Sequence, residues 1–340
     1  MLKTMPLRLQ PWLVLILATL SIFQVAISPA VGVGLHQPDL NRNEAIARIG
    51  IHWWKPGKIY DEAVAGIIDG FATVGIEIEP VHVHSNRDKN LAEENLRKLD
   101  SMDLDVIYSL SSAGTQIARR LRLRTPVIAT VVNHPASLGV AQKASSGSTR
   151  LSGTSYYIDA DKQLSLYQNL FPAISKIGMI YDKNNPAGAN AEMPFMRRAA
   201  ERREMSFVAA AVSDKAQISG ATNRLLDENV DLIVIPTNRL VYANLERVTE
   251  LAFARGIPVV SMNKQGVENG ALAALFADTY YLGRQTAKIA HQIIRENQDP
   301  VDIGFEYSEE PEVIINLKSA KRIMYQFPVS ALGEASIVIQ

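Results

Sequence analysis

Apolar and polar positions alternate between two periods along most of this chain. Short apolar-rich stretches predict strands at Ala47–Ile51, Ile76–Val83, Val106–Tyr108 and Val127–Val132. Between them, apolar residues recur every three or four positions, as in Val64, Ile67, Ile68 and Phe71, and in the segments Asp88–Leu99 and Thr115–Arg122. That spacing predicts helices laying one face on a sheet. Segment 231–256 shows the unit most clearly. Leu232–Ile235 is an unbroken apolar run, as expected of a strand buried on both faces. Pro236 cannot donate to a ladder and ends it. Thr237 and Asn238 can cap a helix whose apolar face is Val241, Leu245, Val248 and Ala252, and Gly256 is its stop.

The rhythm loosens after Val132, with a polar loop at Ala144–Thr149 and an extended crossing at Gly153–Asp159. It restarts with a helix at Lys162–Leu170. Further strands are predicted at Ile177–Tyr181, Phe207–Ala211, Leu232–Ile235 and Pro258–Val260, with helices at Ala189–Arg203, Ala216–Asp227 and Val241–Arg255 between them. Similar steps in both halves predict two similarly wound parallel sheets, because right-handed crossovers impose such spacings. The expected fold class is α/β: two Rossmann-like, doubly wound lobes with a hinge and an interlobe cleft. Ala271–Phe276, Tyr280–Glu296 and Glu312–Leu317 add a strand, a helix and a strand that return to the first lobe and then the second. The expected division is 46–157 plus about 279–305 for lobe 1, and 158–278 plus about 306–330 for lobe 2.

The first thirty residues differ. Lys3 and Arg8 precede the apolar stretch Leu13–Ile27, and Ser28-Pro29-Ala30 offers small residues at a cut site. This reads as a secretory signal peptide, with a polar, flexible lead at 31–45. An uncleaved anchor is the alternative, although the stretch is short for a span. Without Lys3 and Arg8, the 35 basic residues become 33 against 35 acidic ones, a net charge of −2. That balance argues against a nucleic-acid partner. The chain has no cysteine, so it carries neither disulfides nor an N-terminal lipid on cysteine. A periplasmic protein that is not a lipoprotein is expected.

In sheets of this kind ligands bind beyond the carboxyl ends of the strands. Ser111, Ser112 and Ala113 lie at a strand end and open a helix, where free N–H groups suit a carboxylate. Trp53 and Trp54 follow the first strand and can stack on a flat ligand, with at least one expected to pack under its loop. Tyr156 and Tyr157 stand in the first crossing. Asn133 and His134 end the fourth strand, and Thr237 and Asn238 end its counterpart. Asn263 follows the next strand, with Asp278 and Tyr280 at a later crossing. His82 and His84 share one face of a strand but have no third ligand in reach, so no metal or other cofactor is expected.

The chain resembles the tryptophan/tyrosine-type substrate-binding proteins of ABC transporters, which have the type I periplasmic-binding-protein fold. The resemblance runs from about Ala47 to Ser330. It is carried by Ser111-Ser112-Ala113-Gly114-Thr115-Gln116, Asp161-Lys162-Gln163-Leu164, Ile235-Pro236-Thr237-Asn238, Gly270-Ala271-Leu272-Ala273-Ala274-Leu275, Leu282-Gly283-Arg284-Gln285-Thr286 and Ile314-Ile315-Asn316-Leu317. It implies a cleft closing on a small molecule and an ABC permease as membrane partner. A sensory module reporting to a membrane receptor or cyclase is the alternative. The chain departs from the family where T-D-P, P-T-D-N and E-E-D become Asn133-His134-Pro135, Pro236-Thr237-Asn238-Arg239 and Asn263-Lys264-Gln265. Asp278 is then the main expected cleft carboxylate. A site that loses acids and gains Arg239 and Lys264 suits a neutral or anionic ligand, so an aromatic amino acid is not expected. No G-x-x-x-x-G-K, G-x-S-x-G or H-E-x-x-H run is present, and no enzyme activity is expected.

Overall fold

The structure is a computed structural model that describes residues 46–140, 150–185 and 187–340. The predicted signal segment, the lead up to 45, the loop Ala144–Thr149 and Pro186 lie outside the described residues. In chain order the first part comprises β1 (Ala47–Trp53), α1 (Lys58–Thr73), β2 (Ile78–His84), α2 (Lys89–Ser101), β3 (Val106–Leu110), α3 (Ser112–Leu121), β4 (Val127–Val132) and β5 (Leu151–Ser155). The second comprises α4 (Ala160–Leu170), β6 (Lys176–Asp182), α5 (Met193–Arg202), β7 (Ser206–Val212), α6 (Gln217–Asp227), β8 (Leu232–Ile235), α7 (Arg239–Tyr242), α8 (Leu245–Phe253), β9 (Val259–Ser261), α9 (Lys264–Glu268) and β10 (Ala273–Phe276). Then follow α10 (Thr279–Ile294), α11 (Pro300–Ile303), β11 (Phe305–Tyr307), β12 (Glu312–Asn316), α12 (Leu317–Arg322), α13 (Val329–Gly333) and β13 (Ile337–Ile339).

The strands form two sheets, in the orders β11-β5-β4-β3-β1-β2 and β13-β12-β10-β9-β8-β6-β7. Every pair in the first is parallel. In the second only β10 and β12 run antiparallel. Among the described residues the chain passes between the sheets three times: after β5, after β10 and after β11. Strand alternation puts apolar residues on both faces of the first sheet. Val106, Tyr108 and Leu110 meet Phe71 of α1 and Ala287 of α10 in one core, and Ile107 meets Leu96 of α2 and Ile117 of α3 in another. The second sheet buries Ile177, Met179, Ile233 and Val260 among its own helices. Tyr156, in the first crossing, packs against the cores of both sheets.

Several elements depart from the pattern-based reading. The helix expected over Val241–Arg255 is two, α7 and α8, because Asn244 leaves helical geometry (φ −125°, ψ 19°) while its side-chain amide donates to the Leu240 carbonyl. The helix expected from Ala189 starts as a π-helical turn, Gly188–Glu192, and turns regular only at Met193. β11 and β13 are short strands at sheet ends, too brief to show a period.

Candidate functional site

Two backbone distortions shape the end of the first sheet. Ser111 takes φ 99°, ψ 151°, a region that side chains rarely occupy, and its hydroxyl accepts from the Gly114 N–H at 3.1 Å. Val131 has φ 56°, rare for a β-branched residue, where the β4/β5 register shifts. A bulge of this kind re-aims the residues after it. Here Asn133 accordingly lies beside the start of α3, its N–H donating to Ser112 Oγ at 3.1 Å. No acceptor among the described residues meets the N–H of Ser112 or Ala113, the usual state of a helix's first turn.

Asn133 makes a hydrogen-bonded contact between the two sheets' ends. Its Nδ2 donates to the Thr237 carbonyl at 2.9 Å and to Thr237 Oγ1 at 3.3 Å, and its Oδ1 accepts from the Tyr156 hydroxyl. Thr237 is in turn bound to Glu192, the last residue of the π-helical turn. Glu192 Oε2 accepts from the Thr237 N–H at 3.0 Å, and Oε1 accepts from the Thr237 hydroxyl. Glu192 is fully buried. Burial pushes its carboxyl up to about 8, opposed only in part by the Thr237 N–H. Tyr156 and Tyr242 are raised well above the usual phenol value, by burial first and then, in both, by Glu192. The Asn238 side chain is buried, with Oδ1 accepting from the Val241 N–H at 3.0 Å and Nδ2 without a partner. Cations from both halves of the chain also meet one another. Lys55 is held below its ordinary value by partial burial and then by Arg87 and Arg239.

The structure therefore brings Ser111, Ser112, Ala113, Asn133, Tyr156, Thr237 and Asn238 into one neighbourhood. It places the other predicted residues elsewhere or gives them other tasks. Trp53 is buried, stacks on His84 and donates from Nε1 to His82 Nδ1 at 3.0 Å. Trp54 is half-buried against the α2 side of the first sheet. His134 and Tyr157 pack against each other, ring centroids 4.5 Å apart, and not against Asn133. Asn263 caps α9 through Gly266 N–H at 2.8 Å. Asp278 caps α10, accepting from Tyr280 N–H at 2.8 Å, and Tyr280 donates its hydroxyl to Asp69 at 2.8 Å. Asp278 is the expected cleft acid; the carboxyl bonded at the Asn133–Thr237 contact is a second one, Glu192. A signal for it exists in the sequence, since Glu192 falls four before Met196 and seven before Ala199 on a buried helical stripe.

Among the described residues no cluster of three or more His, Asp or Glu side chains could hold a metal, and no helix is long and apolar enough to cross a membrane.

Comparison with known proteins bears on this arrangement. Residues 50–339 match the family model described as ABC transporter substrate binding protein. A tyrosine-binding protein of Clostridioides difficile is 27% identical over 222 residues, 65% of this chain; the match spans only 64% of that protein's length. A substrate-binding protein with adhesive properties from Clostridium difficile, solved ligand-free and open, superposes with a TM-score of 0.75. It shares 22% identity, over 87% of this chain and all of the other. An ABC domain from Streptococcus pneumonia in complex with L-Trp gives a TM-score of 0.68 at 21% identity, with 87% of this chain and all of that one covered. The two sheets and their connections are those of type I periplasmic binding proteins, and the chain belongs to the ABC transporter substrate-binding protein family.

Proposed function

We propose that this chain is the extracytoplasmic receptor of an importer, which captures a small molecule between its two sheets, closes on it by hinge motion and presents it to a membrane permease. The observation that carries this reading is the Asn133–Thr237 contact, which joins loops 104 residues apart beside a buried carboxyl. The three passages between the sheets supply the hinge. Residues 46–157 with about 279–305, and 158–278 with about 306–330, are the two moving bodies in this reading. Release into the periplasm by a cleaved signal segment fits a receptor of this kind, and binding without turnover is its whole activity.

The ligand we propose is a small amphoteric molecule of the amino-acid class. Glu192 supplies an acid inside the contact, ready to lose its proton when an ammonium arrives. The first-turn N–H groups of Ser112 and Ala113 suit a carboxylate, and Lys55, Arg87 and Arg239, which lie close to one another, add positive charge. The case against aromatic amino acids rested on lost acids and on the gain of Arg239 and Lys264, and Glu192 offsets the first of these grounds. The tyrosine-binding relative and the L-Trp complex point the same way. Titration calorimetry with tyrosine, tryptophan and their N-acetyl derivatives tests the proposal. Tight binding of a free amino acid, lost on N-acetylation, is the expected result. Equal binding of the acetylated form, or no amino-acid binding at all, would sink the ligand assignment.

A further inference from the structure

A concavity lies on the seam between the sheets; His134 and Tyr157 on its wall flank Asn133 and Tyr156, but Asn133, Tyr156 and Thr237 do not line it. It measures about 440 Å³, within the range of small-molecule sites. Its walls come from the loop after β4 (His134), the first and third crossings (Tyr157, Asp159, Tyr307) and α5 (Phe195, Arg198). Four rings form a box. His134 sits 4.5 Å from Tyr157, 5.2 Å from Phe195 and 6.2 Å from Tyr307, centroid to centroid, and Tyr157 sits 5.5 Å from Tyr307. The rings are tilted or edge-on and touch one another, so a flat guest can lie only on the open side of the box, against the half-buried Phe195 and Tyr307.

The polar groups of the box are mostly donors. His134 Nδ1 accepts from the Ala136 N–H at 3.0 Å, so the neutral ring carries its proton on Nε2. Burial keeps the ring neutral, holding it down to about 4. Nε2–H thus points at the Tyr307 hydroxyl, at a long 3.5 Å, which leaves it open to a better acceptor. Arg198 lies with its guanidinium 4.7 Å from the Phe195 ring centroid and makes no ion pair among the described residues. Arg202, also on the lining, is paired with Asp161. The one acid on the lining, Asp159, is exposed and caps α4 through the Asp161 N–H at 2.8 Å.

We infer that this groove is a second small-molecule site, beside the principal cleft, which takes a planar aromatic carboxylate: the ring lies against the open side of the aromatic box, on Phe195 and Tyr307, and the carboxylate meets Arg198. This goes beyond the receptor function proposed above and does not depend on the identity of its ligand.

The test uses the full chain and two probes, 2-naphthoate and its uncharged twin 2-naphthamide, followed by the probes' own fluorescence. Naphthoate should bind saturably and naphthamide about tenfold more weakly, the order of effect of one charge-assisted contact. Arg198→Glu, an exposed substitution, should weaken naphthoate about tenfold or more, and Phe195→Ala should weaken both probes. Thr237→Val, in the principal cleft, should change neither. Absence of saturable naphthoate binding overturns the proposal. So does equal binding of the two probes, or loss of naphthoate in Thr237→Val with Arg198→Glu unaffected.

Discussion

Two of the contacts that join distant parts of this chain are built differently. The pair α1 and α10 meets through glycines. A Cβ on Gly66 would lie 1.9 Å from the Tyr280 carbonyl oxygen, and one on Gly283 would lie 2.0 Å from that of Ala63. Backbone packs on backbone there, flanked by the buried Ala63, Ile67 and Ala287. The Asn133–Thr237 contact is made instead of side-chain amides, hydroxyls and one carboxyl, with the His134 and Phe195 rings packed on the same seam. Separating the helices would expose apolar surface and undo close packing that water cannot replace. Separating Asn133 from Thr237 trades hydrogen bonds for others to water at modest net cost. On the function proposed above, the first contact stays shut and the second opens.

The largest expected effect attacks the permanent contact. Gly66→Ala or Gly283→Ala drives a methyl group into a main-chain oxygen with no flexible neighbour to give way. Each should cost about 3 kcal/mol or more in urea denaturation. Gly220→Ala is the control. Gly220 lies within α6 with nothing within 4 Å of an added Cβ, so the change should stabilise by about 0.5–1 kcal/mol. Equal, small losses at Gly66 and Gly220 would show that the α1–α10 approach is not tight.

A pH series sharpens the contrast next. Glu192 has its carboxyl raised to about 8 in the fold against an ordinary 4.5, so the folded chain holds a proton there that the unfolded chain has lost. Its stabilising effect is full below 4.5 and is lost as pH rises through about 8. His52 and His134 act in the opposite sense. Burial lowers both from 6.5 to about 4, so their effect is full above 6.5 and fades as pH falls towards 4. Stability should therefore peak near pH 6.5 and decline on either side. Glu192→Gln should flatten the alkaline decline and leave the acid arm in place. An alkaline arm unchanged by Glu192→Gln would mean that the carboxyl is solvated and ordinary.

The same distinction explains what could be read from the sequence. The sheets and most helices announce themselves by period, because burial on a sheet repeats along the chain. Leu232–Ile235 and Val127–Val132 were expected at their observed bounds. The site is written in single residues, which have no period. Ser112, Asn133, Tyr156 and Thr237 are placed by the rule that ligands meet strand ends, and the structure does bring them together. Glu192 was missed because it sits inside a helical stretch, where its place on the buried stripe is legible but its role at the Thr237 loop, set by a π-helical turn, is not. The bulge at Val131 was missed because Val131 looks like any other strand residue. Asp278, Asn263 and Asn238 show the converse: a polar residue before a helix is usually a cap, and here all three are.

The smallest effect bears on the separable contact itself. Asn133→Ala removes the amide that bridges to the Thr237 carbonyl and hydroxyl, and it also removes the acceptor of the Tyr156 hydroxyl. Were this contact a core feature, its loss would strand buried polar groups and lower global stability by several kcal/mol. Since Asn133 is half-buried and water can reach it once the sheets part, the loss should instead fall on the balance between joined and separated sheets, at about 1 kcal/mol. That is roughly a fivefold shift in population. Small-angle scattering should report a larger radius of gyration for the variant, while its urea midpoint stays near that of the parent chain. Tyr156→Phe, which keeps the ring between the two cores and deletes only the hydroxyl, should move scattering the same way by less. A fall in the urea midpoint with unchanged scattering would place Asn133 with Gly66 and Gly283, among the contacts that never open.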